Sequence, residues 1–142
     1  MNLIDAITKF TNNEKKFIII CKDYKEKTVL DLILSNLDFG YNGYYKVSYI
    51  LQRKKDNITF LIIYNSDFKR AADYLRGQRF DGLLISKEIK ESYKILPYFP
   101  ISCNIVGFDM PSAAEIKKIL LERIRDGNLD KFQIYTYVKE LL

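Results

Sequence analysis

The segment Lys16–Cys21 most constrains the fold of this 142-residue chain, because five consecutive apolar residues, three of them isoleucine, follow the lysine. Apolar runs without polar alternation are typical of strands buried on both faces. A shorter run of the same kind covers residues 83–85. A sheet built from such strands needs helices over both of its faces. The sequence therefore predicts an α/β fold.

Segments of helical periodicity separate the predicted strands. Asp23 and Glu26 have the spacing of a capping box, as do Ser112 and Glu115, and Gly40 and Gly43 are predicted to form a turn. We predict a single three-layer α/β domain over residues 1–142, with a mostly parallel sheet of about five strands and helices on both faces. The predicted strands are residues 16–21, 44–53, 57–64, 83–85 and 102–108. The predicted helices are residues 2–10, 24–37, 66–75 (capped by Ser66), 88–96, 112–126 and 129–142, the last an amphipathic helix with Ile134, Val138 and Leu141 on one side.

The composition excludes several kinds of chemistry. The chain has no histidine, which rules out serine–histidine and cysteine–histidine nucleophiles. Its two cysteines, Cys21 and Cys103, lie in apolar segments and are predicted to be buried, reduced thiols. We accordingly predict no metal and no cofactor.

The net charge and the apolar runs limit the partners. A charge of +5 permits contact with nucleic acid or with an acidic protein. The longest apolar runs are too short to cross a bilayer, and residues 1–10 contain no signal-peptide pattern. We expect a cytoplasmic protein that binds a protein partner or nucleic acid and does not contact a membrane, and the sequence leaves its oligomeric state open.

Residues 75–88 carry a possible family resemblance. Arg76-Gly77 and Phe80-Asp81 precede an apolar run, and Ser86-Lys87 follow it. This segment resembles the Walker B strand of a RecA-like P-loop ATPase core, as in phage terminase large subunits and helicases, and the similarity extends over residues 1–111. The sequence departs from that family in two ways, since it contains no G-x-x-x-x-G-K-[ST] motif and has Ser86 and Lys87 at the two acidic positions.

The resemblance implies an ATPase framework without ATPase chemistry. Asp would help to hold Mg²⁺ and Glu would activate a water at those two positions, and neither a hydroxyl nor an ammonium group replaces them. We therefore expect a non-enzymatic binding or accessory protein, encoded by a phage or mobile element, that docks on a nucleic-acid machine or a host protein. An accessory factor that binds nucleic acid itself is the alternative.

An aromatic and basic segment is the candidate binding surface. Strand alternation is predicted to place Tyr45, Val47, Tyr49 and Leu51 on one face of a strand over residues 44–53. Tyrosines suit protein interfaces and base stacking. In the alternative interpretation, Tyr45 and Tyr49 are core residues and the lysines protect an edge strand. The candidate binding residues are Tyr41, Tyr44, Tyr45, Lys46, Tyr49, Arg53, Lys54 and Lys55.

A metal-dependent nuclease is a weaker hypothesis. Asp81, Glu88 and Lys90 have the order of a D…E-x-K set, in which carboxylates hold Mg²⁺ and the lysine polarises the attack. The E-x-K part falls in a segment predicted to be helical rather than in a strand. Asp67 and Asp109 are expected to have local structural roles at a helix start and in a turn.

Overall fold

The computed structural model describes residues 1–11, 15–99 and 104–142. The strands are β1 (Lys16–Cys21), β2 (Gly40–Tyr45), β3 (Ser48–Arg53), β4 (Ile58–Tyr64), β5 (Gly82–Ser86) and β6 (Asn104–Phe108). The helices are α1 (Leu3–Thr11), α2 (Tyr24–Asn36), α3 (Phe68–Tyr74), α4 (Ala113–Arg125) and α5 (Lys131–Leu141). All six strands form one sheet in the order β2-β3-β4-β1-β5-β6. The chain is therefore α/β, as predicted, and the described residues contain six strands rather than about five.

β1 lies inside the sheet and pairs in parallel with β4 on one side and β5 on the other. Phe17, Ile19 and Cys21 belong to one hydrophobic cluster, which also contains residues of α1 and α2. Ile18 and Ile20 belong to a second cluster, which contains residues of α3. Because successive side chains of a strand point to opposite faces, β1 contributes apolar groups to both faces. The prediction of a strand buried on both faces is confirmed.

The sheet is mixed. β1, β4, β5 and β6 are parallel, whereas β3 runs antiparallel to β4 and β2 antiparallel to β3. The adjacent strands β4, β1 and β5 therefore end at the same edge of the sheet, which we call the carboxyl edge. Lys22, Asn65 and Lys87 are the first residues after these three strands. Ligands of open α/β sheets bind outside this edge, so the side chains that follow these strands are candidates for a binding site.

Side-chain caps begin four of the five described helices: Asn2 Oδ1 accepts a bond of 2.8 Å from the backbone amide of Asp5 in α1, and α2, α4 and α5 have caps of the same kind. The carboxylate of Asp23 accepts a hydrogen bond of 3.0 Å from a backbone amide at the start of α2. Ser112 Oγ accepts an equivalent bond of 3.2 Å at the start of α4. α5 begins with a full capping box between Asp130 and Gln133, which was not predicted. Such caps satisfy amides that have no partner inside the helix, so the helix starts are set locally.

The predicted strand over residues 44–53 is correct for residues 48–53, which pair with β4, but it is not one continuous strand. The chain turns at Lys46 and Val47, and the segment forms the end of β2 and the whole of β3. Lys46 adopts a left-handed φ of +57°, which turns favour. The predicted turn at Gly40 and Gly43 is wrong, because both residues lie in β2. Gly43 has a φ of +106° where the pairing register of β2 shifts, so it forms a bulge.

The predicted α-helix over residues 88–96 is wrong as well. The chain forms two short 3-10 turns there, Ser92–Lys94 and Leu96–Tyr98. Glu91 has a left-handed φ of +57°, which interrupts a right-handed helix. Pro97 lies inside the second turn instead of following a helix. Local composition favoured a helix, but Ile89, Ile95 and Phe99 pack into the cluster beneath α3 and hold the segment against the sheet.

Two smaller predictions also fail. Ser66 lies in a 3-10 turn, and Asp67 occupies the N-cap position of α3 without a side-chain capping bond. In α5, Val138 is 42% exposed and Tyr137 takes the buried position beside Ile134 and Leu141. The buried face of α5 is therefore rotated towards Tyr137.

The longest helices among the described residues, α2 and α4, have 13 residues each. Among the described residues, no helix has the length and apolar character needed to cross a membrane.

Leu84→Asp should abolish cooperative folding. Leu84 lies in β5 and is fully buried, and an unpaired carboxylate in such a place costs several kcal/mol, comparable with the whole free energy of unfolding. Leu121→Asp is the matched control, since Leu121 is 49% exposed on α4. Thermal denaturation followed by circular dichroism should show a cooperative transition for the control alone. A wild-type transition in Leu84→Asp would contradict the central position of β5.

Candidate functional site

The outer strand β2 carries the most exposed part of the predicted binding surface. Tyr41 is 67% exposed, Tyr44 is 55% exposed and Tyr45 is 41% exposed. Lys46 follows them in the turn to β3, and its ammonium group lies 5.3 Å from the ring centroid of Tyr74. We call Tyr41, Tyr44, Tyr45 and Lys46 the tyrosine edge.

The faces predicted for the tyrosines are wrong because the turn interrupts the alternation. Tyr44 pairs across the hairpin with Tyr49, and their ring centroids are 4.9 Å apart. Tyr45 pairs with Ser48 instead, so Tyr45 and Tyr49 lie on opposite faces of the sheet. Val47 and Leu51 likewise belong to different hydrophobic clusters.

Tyr49 is a packing residue rather than a free contact residue. Its ring lies edge-on to that of Tyr64 at 5.8 Å, and the ammonium group of Lys27 lies 4.2 Å from its centroid. The pKa of Tyr64 is raised above its ordinary value, mainly by burial and secondly by a hydrogen bond with Tyr49. These contacts join β3 and β4 to α2. The sequence shows tyrosines in two neighbouring predicted strands. Only the pairing register of the strands reveals that the rings of Tyr49 and Tyr64 touch.

The basic residues of the predicted surface lie at two ends of the hairpin. Lys46 precedes β3 and Lys54 follows it, so roughly 17 Å of strand separates them. Lys54 and Lys55 are exposed, and the ammonium group of Lys55 lies 4.0 Å from the carboxylate of Asp38. The structure therefore does not bring the eight predicted residues together as one surface.

Arg53 is occupied within the chain. Its guanidinium donates hydrogen bonds of 2.7–3.1 Å to the carboxylate of Asp56 and one of 3.0 Å to the carbonyl oxygen of Leu37. The guanidinium also lies 4.7 Å from the ring centroid of Phe39. The hydrogen bond from Arg53 lowers the pKa of Asp56. Arg53 thus connects the turn between β3 and β4 to the end of α2.

A buried polar pair lies at the carboxyl edge, where β1 and β5 end. Ser86 is fully buried and donates a hydrogen bond of 3.0 Å to Glu26 Oε2. The other carboxylate oxygen of Glu26 accepts a bond of 2.7 Å from the backbone amide of Lys22. The spacing of Glu26 from Asp23 predicts only a capping box, and no spacing signal points to the contact of Glu26 with β5. The pair joins the start of α2 to the end of β5.

This pair is suited to structure rather than catalysis. A serine nucleophile must reach its substrate, and Ser86 has no exposed surface. Burial, together with the nearby charge of Glu26, raises the pKa of the Cys21 thiol to about 12 and keeps it protonated. Cys21 is buried as predicted, whereas Cys103 lies outside the described residues.

Lys87 is exposed at the same edge, where its ammonium group lies 3.4 Å from the carboxylate of Asp109. The amino group of Met1 lies 3.7 Å from the same carboxylate. Asp109 therefore joins the ends of β5 and β6 to the start of the chain. Its local structural role agrees with the expectation.

The residues of the nuclease hypothesis lie apart. Asp81 precedes β5, where its carboxylate accepts bonds of 3.1 Å from the amides of Lys15 and Lys16. Glu88 and Lys90 follow β5 at the other end, roughly 15 Å away. One Mg²⁺ needs ligands within about 2.1 Å, so Asp81 and Glu88 do not share an ion. Within the described ranges, no group of three or more Cys, Asp or Glu side chains could hold a metal ion.

Comparisons of the sequence with protein-family models and with curated proteins gave no match.

Arg53→Glu should lower the free energy of unfolding by about 1–3 kcal/mol, because it removes the charged hydrogen bonds to Asp56 and places two carboxylates together. Lys54→Glu is the matched control, since Lys54 is exposed and should change stability by less than about 0.5 kcal/mol. Urea denaturation of each variant measures its free energy of unfolding. Equal midpoints for the two variants would show that Arg53 does not stabilise the hairpin.

Glu26→Ala should lower the free energy of unfolding by about 2–4 kcal/mol, since it leaves the buried hydroxyl of Ser86 and the amide of Lys22 without their acceptor. Asp23→Ala removes only the cap of the same helix and should lower it by about 1 kcal/mol. Urea denaturation of the two variants provides the comparison. A smaller loss for Glu26→Ala than for Asp23→Ala would mean that water replaces the carboxylate easily.

Proposed function

We propose that this chain is a binding protein without chemistry of its own, and that it docks through the tyrosine edge on a protein component of a nucleic-acid machine. One observation carries the proposal: β2 ends the sheet order and exposes three tyrosines within five residues. An end strand presents backbone groups on its outer side, and a partner segment pairs with them by strand addition. Tyrosines add large contact areas with polar ends.

The bulge in β2 supports a specific contact. Gly43, with its φ of +106°, separates the register at Tyr41 from the register at Tyr44. Bulges shorten the straight part of an edge and discourage indiscriminate pairing. A partner would therefore pair with only a short stretch of β2 and would gain most of its contact area from the tyrosine rings.

Several finer expectations belong to this proposal. We infer three layers, supported by the two hydrophobic clusters, one with α1 and α2 and the other with α3. The resemblance to a degenerate RecA-like ATPase core, the phage or mobile-element origin and the cytoplasmic location stay predictions. Contact with nucleic acid through one surface over residues 41–55 is less well supported, because Lys46 and Lys54 lie at opposite ends of β3.

A double variant, Tyr41→Ser with Tyr45→Ser, should lose the partner while keeping the wild-type melting temperature. Neither ring makes a described aromatic contact, so their loss should affect binding rather than folding. Phe132→Ser with Tyr135→Ser is the matched control, since these side chains are 78% and 65% exposed on α5. Affinity capture from the source organism, with quantitative mass spectrometry, should identify proteins retained by the wild type and the control and lost by the tyrosine variant.

The opposite pattern would reject the tyrosine edge. If the Tyr41 and Tyr45 variant retains the same proteins and the α5 variant loses them, the interface lies on α5.

A further inference from the structure

A cleft opens beyond the carboxyl ends of β4 and β5, on the side of the sheet where α3 packs. Phe68 and Lys69 line it from the start of α3, and Lys90, Lys94 and Tyr98 line it from the segment that follows β5. We call these five residues the lysine cleft. Its volume is about 440 Å³, which lies within the range of small-ligand sites. Its position outside adjacent parallel strands is where ligands of open α/β sheets bind.

The lysine cleft carries an excess of positive charge. Three lysines line it, and the only acidic residue among its described lining residues is Glu91. Glu91 pairs with Lys94 at 2.9 Å. In the described parts of the chain, neither Lys69 nor Lys90 forms an ion pair, and both are exposed. The cleft therefore offers two uncompensated ammonium groups, which favours an anion.

An aromatic surface lies next to these charges. The rings of Phe68 and Tyr98 are 5.2 Å apart and nearly perpendicular, an arrangement that holds both in place. Tyr98 is still 46% exposed. The ammonium group of Lys69 lies 5.9 Å from the Tyr98 ring centroid. Lys69 already lies over this ring as a cation, so a planar group that stacks on Tyr98 would have a positive charge close to it.

We propose that the lysine cleft binds a nucleotide unit, with its base against Tyr98 and its phosphate between Lys69 and Lys90. Bases stack on tyrosine rings regardless of sequence, and lysines neutralise phosphates. A purely anionic ligand would use the lysines but gain nothing from Tyr98. The unit is supplied either by a single strand of nucleic acid or by a free nucleotide. This site is separate from the tyrosine edge and does not depend on the function proposed for it.

The test is fluorescence anisotropy with a fluorescein-labelled oligothymidylate of about 12 nucleotides, long enough for one binding site. The triple variant Lys69→Gln, Lys90→Gln, Lys94→Gln should bind about tenfold or more weakly, with a shallower salt dependence between about 50 and 200 mM. Lys117→Gln, Lys118→Gln, Lys131→Gln is the matched control, because it removes the same charge from exposed positions on α4 and α5. Its affinity should stay within about twofold of wild type.

Tyr98→Leu tests the stacking contact separately. Leucine still packs against Phe68, but it has no ring for a base, so we expect a loss of about 1–3 kcal/mol in affinity, or about five- to 160-fold. The salt dependence should stay that of the wild type, because no charge is removed. If the triple lysine variant melts below wild type, Lys90→Gln alone replaces it, since that exposed side chain has no ion pair among the described residues.

Competition with unlabelled ligands identifies the source. Displacement by thymidine monophosphate supports a free nucleotide, and displacement by the unlabelled oligomer alone supports a strand. Equal losses in the cleft and control variants would overturn the proposal, as would full affinity in both Tyr98→Leu and the triple lysine variant. Absence of binding by the wild type at about 50 mM salt would overturn it as well.

Discussion

The structure depends on the burial of β1 on both of its faces. Its parallel pairing with β4 and β5 satisfies the backbone groups of a strand that has no water on either side. Phe17 and Ile19 then require the cover of α1 and α2, and Ile18 and Ile20 require that of α3. Because parallel strands share direction, the same pairing brings the ends of β4, β1 and β5 to one edge. The layout of the fold and the position of the carboxyl edge thus follow from one strand.

The elements predicted correctly are those whose causes are local. Two kinds of element depend on interactions within a few residues: the strands with apolar runs, β1 and β5, and the helix starts capped by Asp23 and Ser112. A run without polar alternation has no face to offer to water, whatever its neighbours are. A capping side chain likewise needs only the amides of its own helix.

The predictions that failed depend on distant contacts. The turn at Lys46 is set by the pairing of β3 with both β2 and β4, which decides where residues 44–53 must reverse. Residues 88–96 have a helical composition, yet Ile89 and Ile95 are held against the sheet. Of the predicted binding residues, Tyr41, Tyr44 and Tyr45 are exposed as expected. Arg53 instead stabilises the fold, because its guanidinium pairs with Asp56 and lies against the ring of Phe39. No spacing rule reveals such partners in advance.

The tyrosine edge and the lysine cleft come from different parts of the chain, but Tyr45 and Lys46 lie towards the same end of the sheet as the cleft. The turn at Lys46 lies beside the end of β4, since Ser48 pairs with Ile63, and the cleft begins soon after β4. A partner that presents a protein segment and a nucleic-acid strand together would meet both surfaces. Binding at one would raise the effective concentration at the other, so two weak contacts would combine into a strong one. If both proposed sites are correct, the chain would bind an assembled nucleoprotein complex more tightly than either of its components alone.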